Sequence, residues 1–364
     1  MGIGIYIDPP APALLNDRFF TESISSLARC LGIVKSTFEA QGILVHTVDR
    51  LPSSMGSDTY LYVSIGNHNN YSKVIGRQDV ILSAFMVTES PIVSPSIFTG
   101  LKRAKHHFKR VFSCIDQTEM PRLVGAQIDC IPLRWPMDFN TVDELLWSRS
   151  HRKFLTMINM NKLTRLGEGE LYTERMRAVE FFSRTDEIDL YGVGWDKATM
   201  RVGYRWLPWT IRKRQIAFRE WLDKVRPDPL LVAARKVYKG ELPEKWETLS
   251  HYDFALCFEN IKIKGWLTEK LFECLRVGTI PIYWGATDIC ELVPSNCFID
   301  MRQFSNYTEL GRFMKGLSSA AVKRYRDAGR AFLESKAFDP FSKERFADIF
   351  EAILNEDAGI RMAV

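Results

Sequence analysis

Glu259, Asn260, Glu269 and Lys270 fall within one short stretch, and together they offer two carboxylates, an amide and an ammonium group. Such a set suits a hydroxyl-rich anionic ligand. Lys270 stands where a helix would begin, and a lysine there works against the helix dipole. It makes better sense if an anion occupies the same place, held by the lysine and by free backbone N–H groups. Taken alone, Lys270 would be read as a side chain reaching for solvent. With a glutamate, an asparagine and a glycine-flanked loop converging on it, the anion site is the preferred reading. A further carboxylate, Glu89 in Thr88-Glu89-Ser90-Pro91, follows an apolar run and stands where a catalytic carboxylate belongs. Composition alone would make it a solvated turn residue before a proline.

The elements that must position these groups can be read from the same stretch. Residues 254–258 are short, apolar and aromatic enough for a buried strand, and Glu259 and Asn260 close it. A polar loop with Lys262, Lys264 and Gly265 follows. Thr268 sits where an N-cap should, and Leu267, Leu271 and Leu275 recur at helical spacing. Gly278 ends the helix, and residues 279–284 form a second apolar run that stops at Gly285. Strand, helix, strand is a βαβ unit with parallel strands. Ligands of open parallel sheets bind outside the carboxyl ends of the strands, where Glu259, Asn260 and Gly285 lie.

The rest of the chain repeats this logic. Strands are expected at residues 2–7, 43–48, 61–65 and 80–87, with an amphipathic helix on Ile24, Leu27, Leu31, Val34 and Phe38. The basic run 101–110 reads as a solvated face, and adjacent His106 and His107 have poor metal-ligand spacing. Around residues 140–150 strand character fades, which suggests a domain boundary. Beyond it, 154–159 restarts as a strand, 172–182 is helical with Arg175 near its start, and 189–192 is a strand ending at Tyr191-Gly192. The aromatic and basic stretch 206–221 reads as an amphipathic insertion with its charges outward, ahead of a stacking surface for nucleic acid. A short strand at 298–300 and helices at 307–317, 320–335 and 341–354 complete the chain. The expected organisation is an N-terminal α/β domain over 1–148, a C-terminal Rossmann-like domain over 149–340, and a C-terminal helix and tail over 341–364.

At 364 residues, two domains are the default. A hydrophobic content of 46% with 26% charged residues describes a globular protein, and a net charge of +5 is too mild for a nucleic-acid footprint. Cys30, Cys114, Cys130, Cys257, Cys274, Cys290 and Cys297 are scattered and odd in number, which reads as reduced thiols in a cytosolic protein. No signal-peptide pattern opens the chain and no apolar stretch reaches membrane-spanning length. There is no phosphate-binding G-x-x-x-x-G-K-[ST] loop, no G-x-S-x-G, no H-E-x-x-H and no Asp-x-Asp. Gly192-Val193-Gly194 lacks the third glycine of a dinucleotide fingerprint. A diphosphate bound here would have to be met by Lys270 and an arginine, which points to metal-independent chemistry.

Phe258-Glu259-Asn260, then Gly265-Trp266-Leu267-Thr268-Glu269-Lys270, then 278–286 (GTIPIYWGA) and 298–304 (FIDMRQF) resemble the donor-binding region of the α-1,3/1,4-fucosyltransferases, glycosyltransferase family 10. Glu89-Ser90-Pro91, Arg175 and Tyr191-Gly192 match further elements of that family. The resemblance implies GT-B architecture, two Rossmann-like domains facing across a cleft. It also implies an inverting transfer of L-fucose from GDP-fucose to a hydroxyl of an acceptor oligosaccharide or glycolipid, at O3 of GlcNAc or Glc. Glu89 would be the general base, and Arg175 and Lys270 would bind and stabilise the diphosphate leaving group. Asn260 and Glu269 would hold sugar and ribose hydroxyls, with Glu259, Tyr191 and Gly192 shaping the pocket. No cofactor, metal or nucleic acid is expected. Action in the cytoplasm, at the inner membrane face on lipopolysaccharide or glycan precursors, is the expected setting.

Two positions depart from the family. Trp266 replaces a usual tyrosine, so an indole N–H would meet the donor in place of a phenol, and Ile261 replaces a small polar residue. A GT-B transferase using another GDP-sugar is therefore the runner-up, and a nucleotide-sugar-binding protein without catalysis is the alternative from another class.

Overall fold

The computed structural model describes residues 2–21, 25–53, 56–66, 69–164, 167–201, 209–242 and 244–359. Ile24 and Trp206 lie outside them. The chain forms two compact units, one of residues 1–140 with 337–364 and one of residues 141–336.

In the first unit six parallel strands run β1 (Ile3–Asp8), β2 (Leu44–Thr47), β3 (Thr59–Ile65), β4 (Val80–Val87), β5 (Arg110–Ser113) and β6 (Ile131–Pro132), in the spatial order β2-β1-β3-β4-β5-β6. Their near-continuous apolar sequence reflects a sheet covered on both faces. Helix α1 (Ser26–Glu39) buries Leu27, Leu31, Val34 and Phe38, and its N-cap Ser25 accepts a hydrogen bond from the Ala28 N–H. Helix α2 (Pro95–Ala104) starts on a proline, whose missing N–H costs nothing in the first turn.

The basic run 101–110 is not one solvated face. Leu101, Ala104 and Phe108 are buried, α2 ends inside the run, and Arg110 opens β5. The lysines and histidines there masked a strand that begins immediately after them.

The second unit holds five parallel strands, β7 (Lys153–Ile158), β8 (Ile188–Tyr191), β9 (Tyr252–Phe258), β10 (Ile280–Trp284) and β11 (Ile299–Asp300), ordered β8-β7-β9-β10-β11. The first five strands of both sheets are thus wound in the same order. Helices α3 (Tyr172–Ser183), α4 (Trp209–Val225), α5 (Pro229–Val237), α6 (Glu269–Arg276), α7 (Tyr307–Gly316) and α8 (Ser319–Leu333) join or flank the strands. Leu155, Met157, Val179, Phe182, Leu190, Leu256, Phe258, Ile282 and Leu310 form its core.

The boundary falls after Asn140, ahead of the expected 148/149. Residues 143–147 already belong to the second unit, because Asp143 N–H donates to the Arg276 carbonyl and Arg152 donates to the carbonyls of Leu146, Trp147 and Val277. Helix α9 (Lys343–Ala358), expected as an appendage, is part of the first unit. It packs on α1, β3 and β4, and Asp357 pairs with Lys109 and Arg110 at 2.9 and 2.8 Å.

Candidate active site

In both sheets the winding reverses between the first and third strands of the unit, and such switch points open the crevice where α/β sheets bind ligands. In the second unit that place lies between the carboxyl ends of β7 and β9. Asn159 leaves β7 there, and Glu259 and Asn260 leave β9.

Glu259 is wholly buried. Thr268 donates to it from both N–H and Oγ1 at 2.8 Å, and Lys270 Nζ lies 2.8 Å from its Oε2. Thr268 does occupy the N-cap of α6, but its hydroxyl makes no cap bond to the helix. It serves the Glu259 carboxylate, whose buried charge needs donors more than the helix end does. Gly285 makes room for this cluster, since a Cβ there would stand 2.5 Å from Glu259 Cγ and from Tyr283 Oη.

Lys270 is therefore matched by a carboxylate before any ligand arrives. Burial works against its charge, but Glu259 and then Glu269 outweigh that and raise its pKa. Burial likewise disfavours the Glu269 carboxylate, yet Lys270 and Lys245 overcome this and hold it down at about 2. Lys245 in turn pairs with Glu273. Carboxylates and ammonium groups alternate along the start of α6.

Arg175, in the first turns of α3, is also buried. Its Nε and Nη2 donate to the Phe258 carbonyl at 3.1 and 2.6 Å, and Nη2 reaches Asn260 Oδ1 at 3.0 Å. Its guanidinium lies over the Tyr172 ring, 4.7 Å from the centroid. Burial lowers its pKa, but it remains a cation at any physiological pH. The residue thus ties α3 to the carboxyl end of β9. Arg175 with Asn260, and Glu259 with Thr268 and Lys270, form two hydrogen-bonded groups side by side at the end of β9.

Tyr191 and Gly192 end β8 on the other side of β7. The Tyr191 hydroxyl pairs with that of Tyr252, which donates to Asp189 at 2.7 Å. Gly192 has φ 122°, and a Cβ there would come within 2.1 Å of the Asn159 carbonyl oxygen, so only glycine fits. Asn159 was not singled out from the sequence. Its carbonyl accepts from Trp195 Nε1 at 2.7 Å, while its buried Nδ2 has no partner among the described residues. The sequence signal was present, an apolar run breaking into Asn159 opposite a glycine, but it took the sheet order to place that amide at the switch point.

Trp266 was expected to offer its indole to a ligand. It is 2% exposed, and its carbonyl accepts from Tyr283 Oη at 3.3 Å. The loop that carries it is fixed by the Gly265 N–H donating to Asp288 at 2.8 Å. Ile261 is buried as well and pairs with Glu170 in an isolated bridge.

In the first unit Glu89 follows β4 and is half-buried, with Oε1 accepting from the Ser90 N–H at 2.7 Å. Ser90 is buried, and its Oγ has no partner among the described residues. Among the described residues no group of three His, Cys, Asp or Glu side chains could hold a metal ion, and no helix is long and apolar enough to cross a membrane. All seven cysteines are free.

Residues 232–327 match the family described as glycosyltransferase family 10 (fucosyltransferase), C-terminal part. The resemblance to family 10 is borne out. The matched span holds Glu259, Asn260, Trp266, Glu269 and Lys270, whereas Glu89, Arg175, Tyr191 and Gly192 lie outside it. The chain is 39% identical over 74 residues to an α-(1,4)-fucosyltransferase of Arabidopsis thaliana, which is 20% of this chain and 18% of that protein. It is 29% identical over 146 residues to an α-(1,3)-fucosyltransferase of Helicobacter pylori, 39% of this chain and 30% of that protein. Each match thus spans less than a third of the relative's length. A crystal structure of an α-1,3-fucosyltransferase superposes with a TM-score of 0.52 and 16% identity, covering 98% of this chain and 91% of that one. The α/β, GT-B fold class expected for family 10 is the fold observed.

Proposed function

We propose that this protein is an inverting, metal-independent fucosyltransferase that moves L-fucose from GDP-fucose to a glycan or glycolipid hydroxyl, O3 of GlcNAc or Glc. The observation that carries this reading is the pair of polar groups at the carboxyl end of β9, Arg175 with Asn260 and Glu259 with Thr268 and Lys270, most of them inside the family 10 match.

In this reading the acceptor oxygen attacks the anomeric carbon from the face opposite the diphosphate, and the bond to GDP breaks. Glu89 accepts the proton of the attacking hydroxyl, a role worth about 10²–10⁴-fold in rate. The diphosphate gathers negative charge as it leaves, and preorganised cations stabilise it without reorganising. Lys270 supplies one such cation, turned partly from Glu259 to the phosphate. Arg175 and Asn260 hold the strand end against which the nucleotide rests, and the Asn159 amide offers a further donor there. Glu269, kept ionised by Lys270 and Lys245, accepts from ribose or sugar hydroxyls.

A thermal-shift panel of GDP, GDP-fucose, GDP-mannose and UDP-sugars tests the donor, since a ligand bound only by the folded state raises apparent stability. GDP-fucose is expected to give the largest shift. A larger shift with another GDP-sugar would replace fucose in the reading, and no shift with any guanine nucleotide would remove it.

A further inference from the structure

Helix α4 is turned the wrong way round for a helix that only covers a core. Asp223 and Arg219, one turn apart, mark its inward side, where Asp223 is 14% exposed and pairs with Arg235 of α5 at 2.5 Å. At 3.6 residues per turn, Ile211, Phe218, Trp221, Leu222 and Val225 share a stripe on the outer side. All five are exposed, Phe218 by 59%, Trp221 by 56% and Val225 by 63%. The Phe218 and Trp221 rings stack on each other with centroids 5.8 Å apart, which merges them into one apolar surface. Arg214, Lys224 and Arg226 are exposed beside it, and the only acidic residues of the helix are Glu220 and the neutralised Asp223.

We propose that α4 is an interfacial helix by which the protein docks on an anionic lipid surface. An apolar stripe with large aromatics and flanking cations is the pattern of helices that lie in the headgroup region. The cations complement anionic headgroups, each contributing within about a Debye length of the surface. The same cations oppose a second copy, because they would meet their own like across the stripe. Ring faces stacked on each other are not open platforms for bases, so the nucleic-acid alternative is disfavoured. The docking surface stands independently of the donor reading.

The test is co-sedimentation of the full chain with phosphatidylcholine vesicles with and without phosphatidylglycerol. The protein is expected to bind the anionic vesicles and to be partly released by high salt. Phe218→Ser with Trp221→Ser should weaken binding about tenfold or more, and Arg214→Glu with Lys224→Glu should do so by about tenfold. Thermal melting by circular dichroism checks that both variants fold, and if the serine variant does not, the charge variant decides. Equal binding to neutral and anionic vesicles, or undiminished binding of the folded variants, overturns the proposal. So does a lipid-free dimer in sedimentation equilibrium, or a single-stranded DNA shift, that the variants abolish, since the stripe would then serve a second copy or a nucleic acid.

Discussion

Glu89 and Glu259 each stand just past the carboxyl end of a parallel strand, β4 in the first unit and β9 in the second, yet their surroundings differ in kind. Glu259 is wholly buried, and Thr268 and Lys270 engage both of its oxygens. Glu89 is half-exposed, and one oxygen is steadied by the next residue's N–H. A carboxylate closed in by fixed donors leaves no room for a substrate hydroxyl, whereas one that reaches solvent can meet it. The position in the fold nominates both residues, and burial separates a structural carboxylate from a candidate base.

The sharpest way to break that comparison is Glu89→Gln. Turnover is expected to fall about 10²–10⁴-fold with the melting temperature unchanged, because the amide oxygen still accepts from Ser90. Initial rates of GDP release check this, and normal turnover would end the base assignment.

Next in size is Lys270→Ala. It strands Glu259 as a buried charge without its counter-ion, a change that typically costs about 3–5 kcal/mol. Urea unfolding midpoints should therefore drop, and adding Glu259→Gln should restore part of the loss. A Lys270→Ala protein as stable as the wild type would mean that the pair is not coupled. Loss of GDP binding in that variant says little unless stability is measured beside it.

The smallest effect is on pH dependence. Glu269 is held down at about 2 because Lys270 and Lys245 outweigh the burial that would raise it. A carboxylate with a depressed folded-state pKa contributes stability above its ordinary value near 4.5, and that contribution is lost as pH falls towards 2. Wild-type stability should therefore fall more steeply between those values than that of Glu269→Gln, as read from melting temperatures across the acid range. Parallel curves would show that Glu269 is not held by the two lysines.

Much of the second unit was legible because its signals are local. The apolar runs at β9 and β10, the leucine spacing of α6 and Gly278 at its end, φ 70°, needed no distant partner. Val80–Val87 likewise ended where Thr88 and Glu89 begin. The roles of Thr268 and Lys270 were not legible in this way. Their shared bond to Glu259 depends on how the loop folds α6 back against β9, so the sequence shows Thr268 as an N-cap and Lys270 as part of an anion site, and neither as a partner of Glu259. Trp266 was read through its indole, but the loop packs that ring inside. β5 was hidden by the cationic run before it, whose Arg110 finds its partner Asp357 from the far end of the chain.

That pairing bears on how the protein is made. The first unit is interrupted in sequence by the whole of the second and lacks α9 until the second has been made. Domains usually fold as they leave the ribosome, the earlier before the later. Here the order is reversed in its last step. The inserted unit, being contiguous, can finish while the unit that began first waits, with α1, β3 and β4 uncovered, for α9.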